Sequence, residues 1–308
     1  MSEPAEPRFV SGFVSILGRP NSGKSTLLNR LTGVKLAIVA PRPQTTRTSI
    51  RGVLNLPGAQ VVFVDTPGIH HPDSLFNRRM LETVKAALDQ QDLFLYVVDV
   101  TRRPGEEDRE AVDLVCSTGT PVLLLLNKVD ALKEKGALLE LIHHYTSLYH
   151  FEDYLPISAR TGEGFDLLRS EIVKRLPEGP ALFPPDYLTD QPQRFMAAET
   201  IREQVLLQTR DEVPHAVAVM VEEWVESASL TRISATIYVE REGQKGILIG
   251  AKGAMLKRIG TDARQALERS LDRKVFLELF VKVRPNWREN PQFLDAVDWR
   301  LMAGGESE

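Results

Sequence analysis

The sequence predicts an α/β domain, a mostly parallel sheet with helices on both faces, followed by a smaller α+β domain. Three observations predict it. Short apolar runs alternate with helical patterns as far as Leu176, the texture of strand-helix-strand units. Residues 177–186, Pro-Glu-Gly-Pro-Ala-Leu-Phe-Pro-Pro-Asp, then place four prolines and a glycine in ten positions, a composition that sustains neither a helix nor a central strand. Beyond it the order changes to helix, two strands, two helices flanking a glycine loop, and a strand. We expect domains at 8–176 and 191–308, with a Pro-rich linker at 177–190.

The first element is an apolar strand at Phe13–Leu17, and the apolar spacing of Thr26–Leu31 is helical. Between them Gly18, Arg19, Pro20, Asn21, Ser22, Gly23, Lys24 and Ser25 have the G-x-x-x-x-G-K-S spacing of a phosphate cradle. Loop N–H groups and the positive end of the helix dipole can hold a polyphosphate there, with Thr26 in the first turn. Lys24 reaches the β/γ oxygens, and the Ser25 hydroxyl meets Mg²⁺. The bland alternative is a glycine turn with no ligand.

The next strand, Val61–Val64, runs into Asp65-Thr66-Pro67-Gly68. Asp65 can hold the Mg²⁺ shell and the Gly68 N–H can face a γ-phosphate. In the polar stretch before this strand, Pro43-Gln-Thr-Thr-Arg47 offers a threonine to complete the metal site when triphosphate is bound; we choose Thr46 over Thr45. The apolar strand Leu123–Leu126 ends in Asn127-Lys128-Val129-Asp130, 103 residues beyond Lys24. A carboxylate at Asp130 can accept from N1–H and the exocyclic amine of guanine, with the Asn127 amide on the base's other polar edge. Adenine leaves that carboxylate unpaired, a mismatch worth roughly 10⁴-fold in a site built for hydrogen bonds. A solvated turn is the competing reading. Another strand ends at Leu155-Pro-Ile-Ser-Ala159, where the Ala159 N–H, beside Ser158, can reach the guanine carbonyl.

In the C-terminal part, Gly250-Ala251-Lys252-Gly253 lies between two helical segments. Its glycines let a nucleic-acid backbone come close, and Lys252 can meet a phosphate. Residues 241–288 hold 12 Lys+Arg and 5 Asp+Glu, net +7, in a chain of net charge −4. A basic segment inside an acidic protein is the footprint of a nucleic-acid surface, and single-stranded RNA exposes the base edges such a surface reads. A soluble helix with a charged face is the bland alternative.

Composition bounds the rest. The chain has 308 residues, 43% hydrophobic and 26% charged, enough for about two domains. One cysteine, Cys116, excludes an internal disulfide framework and Cys-based metal sites. His70-His71 and His143-His144 read as solvated pairs. No apolar run approaches the ~20 residues that span a bilayer, so the expected setting is the cytoplasm and any membrane contact peripheral.

The ordered set G-R-P-N-S-G-K-S, Q-T-T-R, D-T-P-G, N-K-V-D and S-A resembles the translation-factor-related GTPases, and specifically the Era family. The tail strengthens the resemblance: Gln193–Arg202, Val239–Lys245 and Ile249–Gly253 are similar to that family's RNA-binding KH domain, and the likeness runs from about Phe13 to Trp287. The resemblance implies an α/β P-loop GTPase domain followed by an α+β type II KH domain. It implies a GTP-hydrolysing switch using Mg²⁺, with Lys24, Thr46 and Gly68 at the reaction centre and Lys128, Thr66 and Pro67 in the nucleotide site. It also implies RNA contacts at Gly250–Gly253, Lys257 and Arg258. The implied partner is the single-stranded 3′ end of small-subunit (16S) ribosomal RNA in assembly of the 30S subunit, with the protein a monomer in the cytoplasm that touches the inner face of the membrane peripherally.

One departure concerns catalysis. Ile69 follows Gly68, where Ras-like proteins carry a water-orienting glutamine. An aliphatic side chain cannot orient water, so slow intrinsic turnover is expected. Asn21 is the candidate ligand of a K⁺ ion that stands in for an arginine finger in related GTPases; a simple turn residue is the alternative. A regulatory GTPase whose C-terminal domain binds protein or membrane is the competing function.

Overall fold

The computed structural model describes residues 9–42, 45–69, 74–133 and 136–302. His70, His71, Pro43 and Gln44, which carried expectations above, lie outside them. The chain forms two compact units. Among the described residues, the first comprises 9–37, 46–69, 77–133 and 136–190, and the second 38–42, 45, 74–76 and 191–302.

In the first unit the elements run β1 (Val10–Leu17), α1 (Lys24–Thr32), β2 (Ile50–Leu56), β3 (Ala59–Asp65), α2 (Leu75–Ala86, its first two residues assigned to the second unit), β4 (Leu93–Asp99), α3 (Glu106–Cys116), β5 (Val122–Asn127), α4 (Gly136–Leu148), β6 (Asp153–Ile157) and α5 (Phe165–Val173). The sheet order is β2-β3-β1-β4-β5-β6. Every pairing is parallel except β2 with β3. β4 shows why such strands read as unbroken apolar runs: Leu93, Leu95 and Val97 enter the core on one face, and Phe94, Tyr96 and Val98 enter the core on the other. Both faces are covered, so no position calls for a polar residue.

β1 lies between β3 and β4, the point where the strand order reverses. Ligands of open α/β sheets sit beyond the carboxyl ends of the strands at such a point. β2 stood unread in the sequence stretch before β3. It forms an antiparallel hairpin with β3 through Pro57-Gly58, with Gly58 at φ +75°, and gives the sheet its one mixed edge.

The proline-rich segment expected as a linker is packed on the first unit. The Gln60 side chain, fully buried, accepts from the N–H groups of Leu182 (2.7 Å) and Phe183 (2.9 Å) and donates to the Phe183 carbonyl (2.8 Å) and to Asn55 Oδ1 (2.8 Å). The Val53 N–H donates to the Leu188 carbonyl at 2.9 Å, and Phe183 stacks on Tyr187 at 4.7 Å. Prolines forbid regular structure in this stretch, but they leave carbonyls that side chains of the hairpin can bind.

The second unit contains α6 (Gln193–Gln208), β7 (Ala218–Glu226), β8 (Leu230–Val239), α7 (Glu242–Ile249), α8 (Ala254–Leu271), β9 (Lys274–Val283), α9 (Pro291–Val297) and α10 (Trp299–Met302). β8 pairs antiparallel with β7 and parallel with β9, the α-β-β-α-α-β arrangement expected for the C-terminal domain. Ile201, Val205, Ile237, Leu248, Ile259 and Ala263 lie in its core. Two features escaped sequence reading. Trp287 is fully buried after β9, its Nε1 donating to the Ala216 carbonyl at 2.9 Å. Residues 38–42 and 45 also belong to this unit: the Val39 N–H donates to Glu203 Oε1 at 2.9 Å, Arg42 donates to the Thr209 carbonyl, and Arg202 donates to the Thr45 carbonyl. Among the described residues no helix is long and apolar enough to cross a membrane.

Candidate nucleotide and nucleic-acid sites

The loop between β1 and α1 is shaped by approaches that only glycine allows. Gly18 has φ +141°, and a Cβ there would lie 2.4 Å from the Val97 carbonyl oxygen. Gly23 has φ +104°, and a Cβ would lie 2.3 Å from Asn127 Nδ2. Asn21 sits at φ +65°. The loop therefore wraps against the ends of β4 and β5 and delivers Lys24 and Ser25 to the first turn of α1.

Lys24 is buried, and its Nζ donates to the carbonyls of Gly18 and Arg19, both at 3.0 Å. Burial pushes its ammonium down to about 8, opposed by the neighbouring Asp65 carboxylate. Asp65, fully buried at the end of β3, is pushed up to about 6 by the same burial, against the pull of Lys24 and of hydrogen bonds from Ser25 and Thr46. Each charge limits the other's cost.

The three residues expected at a metal converge. Ser25 Oγ lies 2.8 Å from Thr46 Oγ1, and Thr46 Oγ1 donates to Asp65 Oδ2 at 3.0 Å. Asp65 Oδ1 is buried with no hydrogen-bond partner. Two hydroxyls and a carboxylate with an orphaned oxygen suit a hard cation such as Mg²⁺, which keeps several waters and takes few protein ligands. The structure also separates the two threonines, since the Thr45 hydroxyl donates to the Arg42 carbonyl at 2.8 Å. Thr66 Oγ1 is turned away, donating to the Ile16 carbonyl at 3.0 Å, so it braces the loop. Gly68 lies against Pro20, where a Cβ would come within 2.7 Å of the ring, and Ile69 packs against the core beneath α2 and α3.

At the base-recognition end, the expected residues bond to one another. The Asn127 amide is held inside the protein: Nδ2 donates to the Ser22 carbonyl at 2.7 Å, and Oδ1 accepts from the Ala159 N–H at 2.9 Å. Asn127 and Ala159 thus engage each other here, tying the phosphate loop to the turn after β6, where the sequence assigned both to the base. Lys128, at φ +73°, donates from Nζ to the Asn21 carbonyl (2.7 Å) and to Asp99 Oδ2 (2.6 Å). Asp99 was absent from the sequence reading. Its carboxyl is held below the usual range because hydrogen bonds from Lys128 and Thr101 outweigh the larger single effect of burial.

Asp130 accepts from Ser158 Oγ at 2.5 Å and pairs with Arg160. The Ser158 hydrogen bond, more than the Arg160 charge, holds this carboxyl below its ordinary value. It is an ionised acceptor with its partners at the surface, ready to exchange them for two N–H donors of a base. Arg160 had no motif to announce it.

In the second unit the glycine loop joins α7 to α8. Gly250 (φ +69°), Lys252 (φ +51°) and Gly253 (φ +79°) all lie at positive φ. A Cβ on Gly253 would meet nothing within 4 Å, so space is open beside it. A groove of about 430 Å³ begins there, lined by Leu256, Lys257, Gly260, Arg264, Leu277 and Leu279 among others. Lys257, expected at an RNA contact, lines it. Gly250, Ala251, Lys252 and Arg258 do not line this groove; the sequence missed Gly260 and Arg264, which share the groove face of α8 at helical spacing, and the leucines of β9. An apolar floor with basic walls can accept bases and hold phosphates.

Known proteins fit this geometry. Residues 13–128 match a family described as 50S ribosome-binding GTPase, and residues 212–288 match the KH domain family. GTPase Era of Geobacter metallireducens is 54% identical over 94% of this chain and 98% of its own length. That of Rippkaea orientalis is 47% identical over 97% and 96%. The crystal structure of a point variant of Aquifex aeolicus Era bound to GDP·AlF4⁻ superposes with a TM-score of 0.91 at 40% identity, covering 94% of this chain and 99% of that one. A structure of Era with MgGDPNP and nucleotides 1506–1542 of 16S ribosomal RNA gives a TM-score of 0.92 at 40% identity with the same coverages. The cradle before α1, the oxygen cluster at Ser25, Thr46 and Asp65, and the glycine loop beside a basic groove stand in one chain that these proteins match almost end to end; it belongs to the Era family of GTPases.

Proposed function

We propose that this protein is a guanine-nucleotide switch that hydrolyses GTP and binds the 3′ end of 16S ribosomal RNA through its KH domain during assembly of the small ribosomal subunit. The observation that carries the reading is the convergence of Ser25, Thr46 and Asp65 on one point beside Lys24. Full-length likeness to an Era structure holding both MgGDPNP and 16S RNA supports the RNA half. The description naming the 50S ribosome belongs to a family model that matches residues 13–128 alone, so the choice of RNA follows the relatives that also share the KH domain.

The chemistry follows from the residues. Lys24, an ammonium with three donors, meets the β/γ oxygens while the Gly18–Arg19 carbonyls steady it. Ser25, Thr46 and Asp65 would hold Mg²⁺, which supplies charge neutralisation at those oxygens. Gly68 offers its N–H toward the γ-phosphate, and Thr46, already in the cluster, is held there while triphosphate is bound and released after hydrolysis. Ile69 gives no hydrogen bond to water, so turnover is slow until another group assists. Asn21, in the left-handed region with its carbonyl fixed by Lys128, is the residue through which K⁺ assists. The protein acts as a monomer in the cytoplasm, with contact to the membrane's inner face confined to its surface.

The direct test is anisotropy of a labelled RNA carrying the small-subunit 3′-terminal sequence, with GDP, with a non-hydrolysable GTP analogue, and without nucleotide. The GTP analogue should strengthen binding, and Lys252→Glu with Gly253→Asp should weaken it at least tenfold. Absence of binding in every state would leave the C-terminal unit to a protein or membrane partner. Base choice rests on Asp130: Asp130→Asn should lose guanine preference and gain affinity for xanthine nucleotides, measured by competition, and an unchanged preference would remove Asp130 from recognition. GTP hydrolysis should be faster in KCl than in NaCl at equal ionic strength; equal rates would exclude the K⁺ role of Asn21.

Protonation of Lys24 gives a pH signature. With the free ammonium lowered to about 8 and raised again by bound phosphates, GDP affinity should be flat below about pH 7. It should fall about fivefold between pH 8 and 9 as the proton must be recovered on binding. Fluorescence titration of a labelled GDP checks this, with Lys24→Met, weak throughout, lacking that slope.

A further inference from the structure

Arg19 is part of the phosphate loop, yet its side chain runs the other way. Its Nη1 donates to Asp108 Oδ2 at 2.8 Å, and its Nη2 meets the exposed carboxylate of Glu107, both in the first turn of α3. Asp108 is buried and takes two further bonds. The Gly105 N–H donates to it at 2.7 Å, closing the N-terminus of α3, and Tyr145 Oη from α4 donates to Oδ1 at 3.1 Å. Tyr145 is itself fully buried, its ring against Tyr96 and Phe151. The exposed Glu107 pair contributes little; the buried, triply bonded Asp108 is the anchor.

The backbone of the same residue faces the reaction. The Arg19 carbonyl accepts from Lys24, and the next residue, Pro20, abuts Gly68. The far half of the loop has its own outside supports, Lys128 on the Asn21 carbonyl and Asn127 on the Ser22 carbonyl. Arg19 is the corresponding support for the near half.

We propose that Arg19 is a positioning residue for GTP hydrolysis, held by Asp108 and Tyr145 so that the Gly18–Pro20 backbone keeps Lys24 and Gly68 aligned on the γ-phosphate. The proposal rests on the GTPase reading above. Arg19 donates nothing to the nucleotide; it acts through the loop. Misplacing a reacting group by about an ångström costs up to 10²-fold in rate. Because Lys128 and Asn127 still hold the far half of the loop, a loss of about tenfold is expected, and it should fall on kcat more than on nucleotide binding.

Steady-state GTP hydrolysis and GDP affinity should be compared for the unaltered protein, Arg19→Ala, Arg19→Lys, Asp108→Asn, Tyr145→Phe and the Arg19→Ala/Asp108→Asn pair. Arg19→Ala should lower kcat about tenfold with KM and GDP affinity within about threefold. Arg19→Lys should recover part of the loss, and Tyr145→Phe should show a smaller one of about two- to threefold. The double variant should be no slower than the slower single, since both break one linkage. Unchanged kcat in Arg19→Ala, a loss confined to KM, or losses that multiply in the double variant would overturn the proposal. Should Asp108→Asn fail to fold through loss of the α3 cap, Arg19→Lys and Tyr145→Phe still decide it. If the unaltered protein does not hydrolyse GTP, it is the GTPase reading that fails.

Discussion

Close approach of the loop backbone to the ends of neighbouring strands beyond β1 is the constraint on which the nucleotide site depends. Gly18 and Gly23 sit where a single Cβ would overlap the Val97 carbonyl or the Asn127 amide. That closeness lets Asn127 reach the Ser22 carbonyl and Lys128 reach the Asn21 carbonyl, so the ends of β4 and β5 help to shape the cradle. A parallel sheet with both faces buried makes this possible, because its strand ends cannot slide without exposing apolar side chains on one face or the other. Rigid strands carry the loop; the loop carries Lys24 and Ser25.

The same closeness explains the electrostatics. Lys24 and Asp65 are both buried, and burial alone would drive each toward its neutral form. Their mutual attraction, with the hydroxyls of Ser25 and Thr46, keeps charge available at neutral pH in a space that water hardly reaches. Such a pair in an enclosed site marks chemistry more often than structure. Ion pairs at the surface, such as Lys282 with Glu222, lie in solvent and carry far less weight.

In the KH unit the corresponding device is conformational. Three of the four residues from Gly250 to Gly253 occupy positive φ, Lys252 among them without the excuse of being glycine. A non-glycine residue held there costs of order 1 kcal/mol and persists because its surroundings over-determine it. The gain is a tight corner that leaves open space beside Gly253 at the mouth of a groove with an apolar floor, formed where α8 crosses β9.

Sequence alone determined the elements whose chemistry is local. The phosphate loop, the Asp65 and Asp130 motifs, the α-β-β-α-α-β order and the glycine loop all follow from residue type and spacing, because each is built within a few residues of chain. It also chose Thr46 over Thr45; the Thr46 hydroxyl bonds Asp65 and the Thr45 hydroxyl bonds the Arg42 carbonyl. Tertiary structure decided whatever depends on partners distant in sequence. It turned Asn127 inward to Ser22 and Ala159, set Arg160 beside Asp130, drew the proline-rich segment onto Gln60, and sent the Arg19 side chain to Asp108. No period or spacing announces such pairs, since a hydrogen bond between residues a hundred positions apart exists only once the sheet has brought them together.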